Sequence, residues 1–109
     1  MQERDLIRLR HMLLYAQDAL SIALDRSRLD LDTDREFMHS LVRCMELVGE
    51  AASRLSEEAR GELPQIPWRA IVNMRNRLIH GYFEINLDLV WQTIQNDLPP
   101  LVSQLKQII

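Results

Sequence analysis

The sequence predicts an all-α fold, a small bundle of two long and about three short helices, and three observations carry that prediction. Apolar residues recur at helical spacing along nearly the whole chain. Only three glycines and four prolines punctuate it, and they fall between apolar runs. No segment alternates apolar and polar residues as a half-buried strand would. With no linker, repeat or low-complexity tract, residues 1–109 read as one domain. That length is near the lower size for a self-sufficient core, so a second copy of the chain would add what one copy lacks.

The first helix is expected from about Glu3 to Arg26. Leu6, Leu9, Leu13, Ala16, Leu20 and Leu24 form one stripe, while Ile7, Leu14 and Ile22 fall elsewhere around the cylinder. A helix apolar on several sides needs several neighbours. Thr33-Asp34-Arg35-Glu36 reads as a capping box that opens the second helix. Its stripe runs through Phe37, Leu41, Cys44, Val48, Ala51, Ala52, Leu55 and Ala59, and Gly61 is expected to end it. Gly49, Ala51 and Ala52 leave room for a neighbouring helix, and Glu50 and Arg54 make a pair four residues apart. Pro67 suits the first residue of a third, short helix that Gly81 would terminate. Asn86 or Asp88 can cap a fourth through Val90, Trp91 and Ile94. Leu98-Pro99-Pro100 then breaks or kinks the chain before a last segment carrying Leu101, Leu105 and Ile108.

Composition excludes several function classes. The chain holds no run of roughly 18 apolar residues that could span a membrane, and the amino end lacks a signal-peptide pattern, so a cytoplasmic location is expected. The lone Cys44 and three scattered histidines form neither a disulfide nor a zinc pattern, so no metal or cofactor is expected. A net charge of −3 argues against binding nucleic acid through the overall field, which makes any RNA contact local. From Trp68 to Tyr82 the arginines Arg69, Arg75 and Arg77 occur without an acidic residue.

On a helical wheel Trp68, Ile71, Val72, Leu78 and Ile79 share one side of the third helix, with Arg75 among them. A guanidinium stays charged, so Arg75 must meet a carboxylate such as Glu46 or Glu50, reach a groove, or point at an anionic ligand. Asn76 and His80 lie four apart on the other flank, with Asn73 one turn earlier. An amide there can hold one imidazole tautomer. His80 sits at the carboxyl end of the helix, whose dipole favours the protonated ring and poises it for proton exchange near neutral pH. His11 and His39 read as surface or cap residues, and Trp68 and Trp91 as core or interface anchors.

The run Arg75-Asn76-Arg77-Leu78-Ile79-His80-Gly81-Tyr82 resembles the signature of the HEPN superfamily, an Arg, four to six residues and a His. It is closer still to the HepT-type toxins, which carry a Tyr two residues after that His. Pro67-Trp68, Gly49-Glu50-Ala51 and Leu98-Pro99-Pro100 extend the resemblance over nearly the whole chain. It implies a homodimer in which two motifs line one cleft, and a metal-independent endoribonuclease in that cleft. Arg75 and His80 would be catalytic, with Asn76, Arg77 and Asn73 supporting them or binding RNA. It also implies the toxin role of a type VII toxin–antitoxin pair, with Tyr82 accepting AMP from an MNT-type nucleotidyltransferase antitoxin.

The residues suit that chemistry. Cleaving RNA without a metal needs a base for the 2′-hydroxyl, an acid for the departing 5′-oxygen and a cation for the phosphorane charge. Two other functions stay open from the residues alone: a catalytically silent module that binds a nucleotide or a nucleotidyltransferase, and a structural bundle in which Arg75 is ion-paired and His80 is a cap.

Overall fold

The computed structural model describes residues 1–80 and 85–109, and side chains for 1–79 and 85–109. In chain order the helices are α1 (Glu3–Ala23), α2 (Arg28–Thr33), α3 (Arg35–Ser53), α4 (Glu57–Glu62), α5 (Trp68–His80), α6 (Leu87–Gln92), a π-helical turn (Thr93–Asp97) and α7 (Leu98–Ile108). No strand occurs among the described residues, as the absence of alternation predicts.

The two long helices, α1 and α3, pack on each other, α5 lies on α3, and α7 lies on α1. Helix α3 is therefore the spine. Every residue of its expected stripe is buried, from Phe37 through Leu55 to Ala59 in α4. On α1 the buried line is Leu9, Met12, Ala16, Ala19 and Ala23, while Leu6, Leu13 and Leu20 pack beside it half-buried. The expected stripe was thus turned slightly from the true one.

Several helix boundaries differ from expectation, because neither a left-handed residue nor a side-chain cap is revealed by periodicity. Helix α1 stops at Ala23 rather than Arg26. Asp25 takes the left-handed conformation (φ 61°), and Leu24 is left 71% exposed. The unforeseen α2 follows, with the Asp30 carboxylate accepting from the Ser27 N–H at 2.8 Å. The cap of α3 is Asp34, accepting from the Phe37 N–H at 3.1 Å, one residue later than the predicted Thr33. Arg26 locks this corner, bonding Asp30 at 3.1 Å and Asp34 at 2.9 Å with its guanidinium 4.0 Å above the Phe37 ring.

Gly61 does not end the long helix. Helix α3 stops at Ser53, and Ser56 caps a separate α4 that contains Gly61, its hydroxyl accepting from the Ala59 N–H at 3.1 Å. Asp5 of α1, buried, holds the break by accepting from the Ser56 N–H at 3.0 Å and hydroxyl at 2.9 Å. Those hydrogen bonds hold its carboxyl below the usual carboxylate range, the Ser56 backbone bond foremost.

At the other end, Asn86 caps α6, accepting from the Leu89 N–H at 3.1 Å. Pro99 and Pro100 do not break the helical course, since both sit in the first turn of α7, directly after the π-helical turn. Proline cannot donate back to the preceding turn, and a wider turn accommodates that loss. Val90, Ile94, Leu101 and Leu105 are buried there, and Ile108 is half-buried. No described helix is long and apolar enough to cross a membrane.

Candidate active site on the fifth helix

Helix α5 begins at Trp68, directly after the Pro67 that was expected to open it, with the Ile71 N–H donating to the Pro67 carbonyl at 3.1 Å. The Trp68 indole N–H anchors this end by donating to the Leu63 carbonyl at 2.9 Å. Trp68, Ile71, Val72 and Met74 lie half-buried against the core and Leu78 is fully buried. Ile79, predicted on the apolar side, is 39% exposed. The contact side of α5 is narrower than the wheel suggested, because among the described elements it packs chiefly along α3.

Arg75 lies where α5 crosses α3, and Gly49 is what allows it there. A methyl group at Gly49 would overlap the Arg75 Cβ, lie 2.9 Å from its Cγ and 3.2 Å from the Ile71 carbonyl oxygen. The aliphatic stem of Arg75 therefore runs over bare backbone, leaving the residue half-buried. Its Nη1 donates to Asn76 Oδ1 at 3.0 Å. That bond uses the Asn76 amide oxygen, and Asn76 is exposed.

The carboxylates proposed for Arg75 are engaged elsewhere: Glu46 with Arg43 at 3.1 Å and Glu50 with Arg54 at 3.1 Å, the latter pair as expected. Among the described residues no acid lies within ion-pair distance of Arg75. Of the three fates open to a guanidinium on this face, an ion pair inside the described chain is not the one taken. Among the described residues the cation is held by packing and one neutral hydrogen bond.

His80 is the last residue of α5, at the negative end of the helix dipole. Gly81 and Tyr82, expected to end the helix and to carry a hydroxyl beyond it, lie outside the described residues. Cys44 is buried and its thiol is pushed up by desolvation, which suits a packing role. His11 stands half-buried with its ring 6.4 Å from that of Tyr15, and His39 is on the exposed side of α3. No group of acidic, histidine or cysteine side chains suited to a metal occurs among the described residues.

Asn73 and Arg77 do not join Arg75. They line a cleft of about 560 Å³ between α5 and the α6–α7 arm, together with Thr93, Asn96, Asp97 and Gln104. Its floor includes Met45 and Val48 of α3 and Ile71 and Met74 of α5. The polar residues from the π-helical turn and α7 were missed in the sequence. No periodicity marks them; the only signal was a polar stretch, Thr93 to Asp97, just before two prolines.

Comparison with known proteins gives this arrangement a family. The family model described as "Ribonuclease HepT-like" matches residues 12–108. The "Putative RNase TTE0752" of Caldanaerobacter subterraneus subsp. tengcongensis is 38% identical over 80 residues, 73% of this chain and 71% of the relative. The "Probable ribonuclease HepT" of Thermococcus cleftensis is 30% identical over 79 residues, 72% of either chain. The "Putative RNase MJ0125" of Methanocaldococcus jannaschii is 28% identical over 98 residues, 90% of this chain and 84% of the relative. No solved structure matches the chain. On a match that spans nearly its whole length, the chain belongs to the HepT-like ribonuclease family.

Proposed function

We propose that this HepT-like ribonuclease is a metal-independent endoribonuclease that cuts RNA in a cleft between two copies of the chain. The observation that carries the reading is Arg75: a guanidinium seated over Gly49, bonded to Asn76 and unpaired among the described residues, five positions before His80 at a helix end.

In this mechanism the scissile phosphodiester lies against Arg75. His80 of one copy removes the 2′-hydroxyl proton, and the freed oxygen attacks phosphorus. The phosphorus–5′-oxygen bond breaks as His80 of the second copy protonates the leaving oxygen. The products are a 2′,3′-cyclic phosphate and a 5′-hydroxyl. Arg75 stabilises the extra negative charge on the phosphorane oxygens, with Asn76 positioned by the Arg75 bond to contact phosphate or orient the imidazole. One imidazole cannot be base and acid at the same moment, so two-fold pairing supplies the second group. Ile7, Leu14 and Ile22, exposed by 41%, 49% and 36% on α1, are apolar surface that a second copy would cover.

The same reading makes the chain a cytoplasmic toxin, paired with an MNT-type nucleotidyltransferase antitoxin. The Tyr82 oxygen attacks the α-phosphate of ATP, pyrophosphate leaves, and the AMP ester adds negative charge beside the RNA path. Purified chain incubated with single-stranded RNA and a chelator tests the core of this reading. Fragments with cyclic phosphate and 5′-hydroxyl ends are expected, from a protein that sediments as a dimer at micromolar concentration. Intact RNA, or full activity in a compact monomer, overturns the two-histidine mechanism.

A further inference from the structure

The cleft between α5 and the α6–α7 arm has the composition of a ligand site rather than a packing defect. Its floor is apolar and rich in methionine, and its polar groups stand on opposite walls: Asn73 and Arg77 on α5, Asn96 and Asp97 on the π-helical turn. None of these four side chains has a hydrogen-bond or ion-pair partner among the described residues. By contrast, Thr93 already donates to the Leu89 carbonyl at 2.8 Å, and Gln104 to the Gln65 carbonyl at 3.4 Å. The volume, about 560 Å³, falls in the range of small-ligand pockets. The turn bearing Asn96 and Asp97 is π-helical, a geometry that recurs at functional sites.

The position of the cleft relates it to the chemistry proposed above. Asn73, Arg77 and His80 occupy positions i, i+4 and i+7 of one helix, so they share a register on α5. His80 lies three residues beyond Arg77, about 4.5 Å along the axis. A chain whose phosphate is handled at the end of α5 has its next base within reach of this cleft.

We infer that the cleft is a base-binding subsite that takes one unpaired nucleobase of the RNA and selects for an exocyclic amine. Flat aromatic rings suit a floor containing Met45 and Met74. The Asn73 and Asn96 amides each offer a donor and an acceptor to a base edge, as single-stranded RNA recognition requires. Asp97 is the discriminating group. A carboxylate only accepts hydrogen bonds, so it receives the amino group of adenine, cytosine or guanine and faces the carbonyl oxygen of uracil unfavourably. Arg77 holds the adjoining phosphate and offsets the Asp97 charge. Placement beside the cut rests on the ribonuclease reading; binding of the base does not.

The four nucleoside monophosphates AMP, CMP, GMP and UMP serve as probes, titrated into the full chain while the side-chain amide resonances of Asn73 and Asn96 are followed. The amino-bearing nucleotides are expected to shift both signals at millimolar concentration, with UMP weaker by about tenfold or more. Asp97→Asn, in which the amide both donates and accepts, is expected to bring UMP to within a few-fold of the others, with an unchanged circular dichroism spectrum. No shift with any nucleotide, UMP binding equal to the rest, or unaltered selectivity in Asp97→Asn overturns the subsite. A chain that cuts RNA yet binds no nucleotide in the cleft refutes this inference alone. One that binds them selectively yet never cuts RNA refutes the ribonuclease reading and leaves the subsite standing.

Discussion

Helices α3 and α5 lie side by side and are built on opposite plans. Nine of the nineteen residues of α3 are buried, from Phe37 to Ala52, and its Glu50 carboxylate pairs with Arg54 of the following turn. In α5 only Leu78 is buried among the described side chains, and Arg75 and Arg77 have no ion-pair partner among the described residues. Helix α3 commits its side chains to the fold, while the polar side chains of α5 stand outside the core. Stability is therefore expected to concentrate in α1 and α3 and function in α5, with Gly49 as the point where the two depend on each other.

The largest effect that would sharpen this contrast is His80→Ala, expected to lower RNA cleavage by about 10²- to 10⁴-fold while the thermal midpoint hardly moves. Cleavage at the parental rate, or an unfolded variant, would make His80 structural and erase the distinction. Leu41→Ala is the converse. Truncating this fully buried side chain of α3 is expected to cost about 2–5 kcal/mol in denaturant unfolding, leaving the activity of the remaining folded protein near that of the parent.

Gly49→Ala should fall between the two and affect both properties. Its methyl would meet the Arg75 Cβ, so α5 must back away, at a cost of about 1–3 kcal/mol and with a loss of cleavage even in the folded fraction. Unchanged stability and activity together would show that the crossing is looser than described.

Acid provides a finer test of the α1–α3 side. The Asp5 carboxyl is held below its ordinary value by Ser56, so it contributes stability above the unfolded carboxylate pKa of about 4. That contribution is lost as pH falls through the lowered value. Asp30, held down chiefly by the Ser27 N–H, and Asp34, held down chiefly by Arg26, share the acid limb. Asp5→Asn is thus expected to flatten the fall of the unfolding midpoint below pH about 4 without removing it. An identical acid limb in the variant would exclude Asp5 as a contributor.

The smallest expected change in cleavage belongs to Tyr82→Phe, which keeps the ring and removes only its oxygen. Parental RNA cleavage is expected, together with escape from a nucleotidyltransferase that neutralises by AMP transfer. Intact masses after co-expression decide it: steps of one AMP on the parent and none on the variant. Equal neutralisation of both without a mass change would assign Tyr82 another role.

Regular periodicity made much of this molecule legible. The whole stripe of α3, a cap at Asn86 or Asp88, an irregularity at Pro99-Pro100 and the small surface around Gly49 follow from spacing and residue type, because each is decided within one or two turns of chain. Arg75 stood out for the same reason, as a permanent charge on an apolar face.

What spacing could not supply was every feature made by residues far apart. Asp5 holds the Ser56 cap of α4 across 51 positions, and only the folded chain brings that carboxylate to that cap. Whether Arg75 would pair with Glu46 or Glu50 depended on how α5 crosses α3, and those acids pair instead with Arg43 and Arg54 close by in the chain. Sequence placed Asn73, Asn76 and Arg77 on one short helix. The tertiary structure divided them: Asn76 bonds its chain neighbour Arg75, whereas Asn73 and Arg77 line a cleft with Asn96 and Asp97. The physical reason is the same throughout: helical period is a local property of the backbone, whereas the partner of a charge or an amide is settled by the packing of helices distant in sequence.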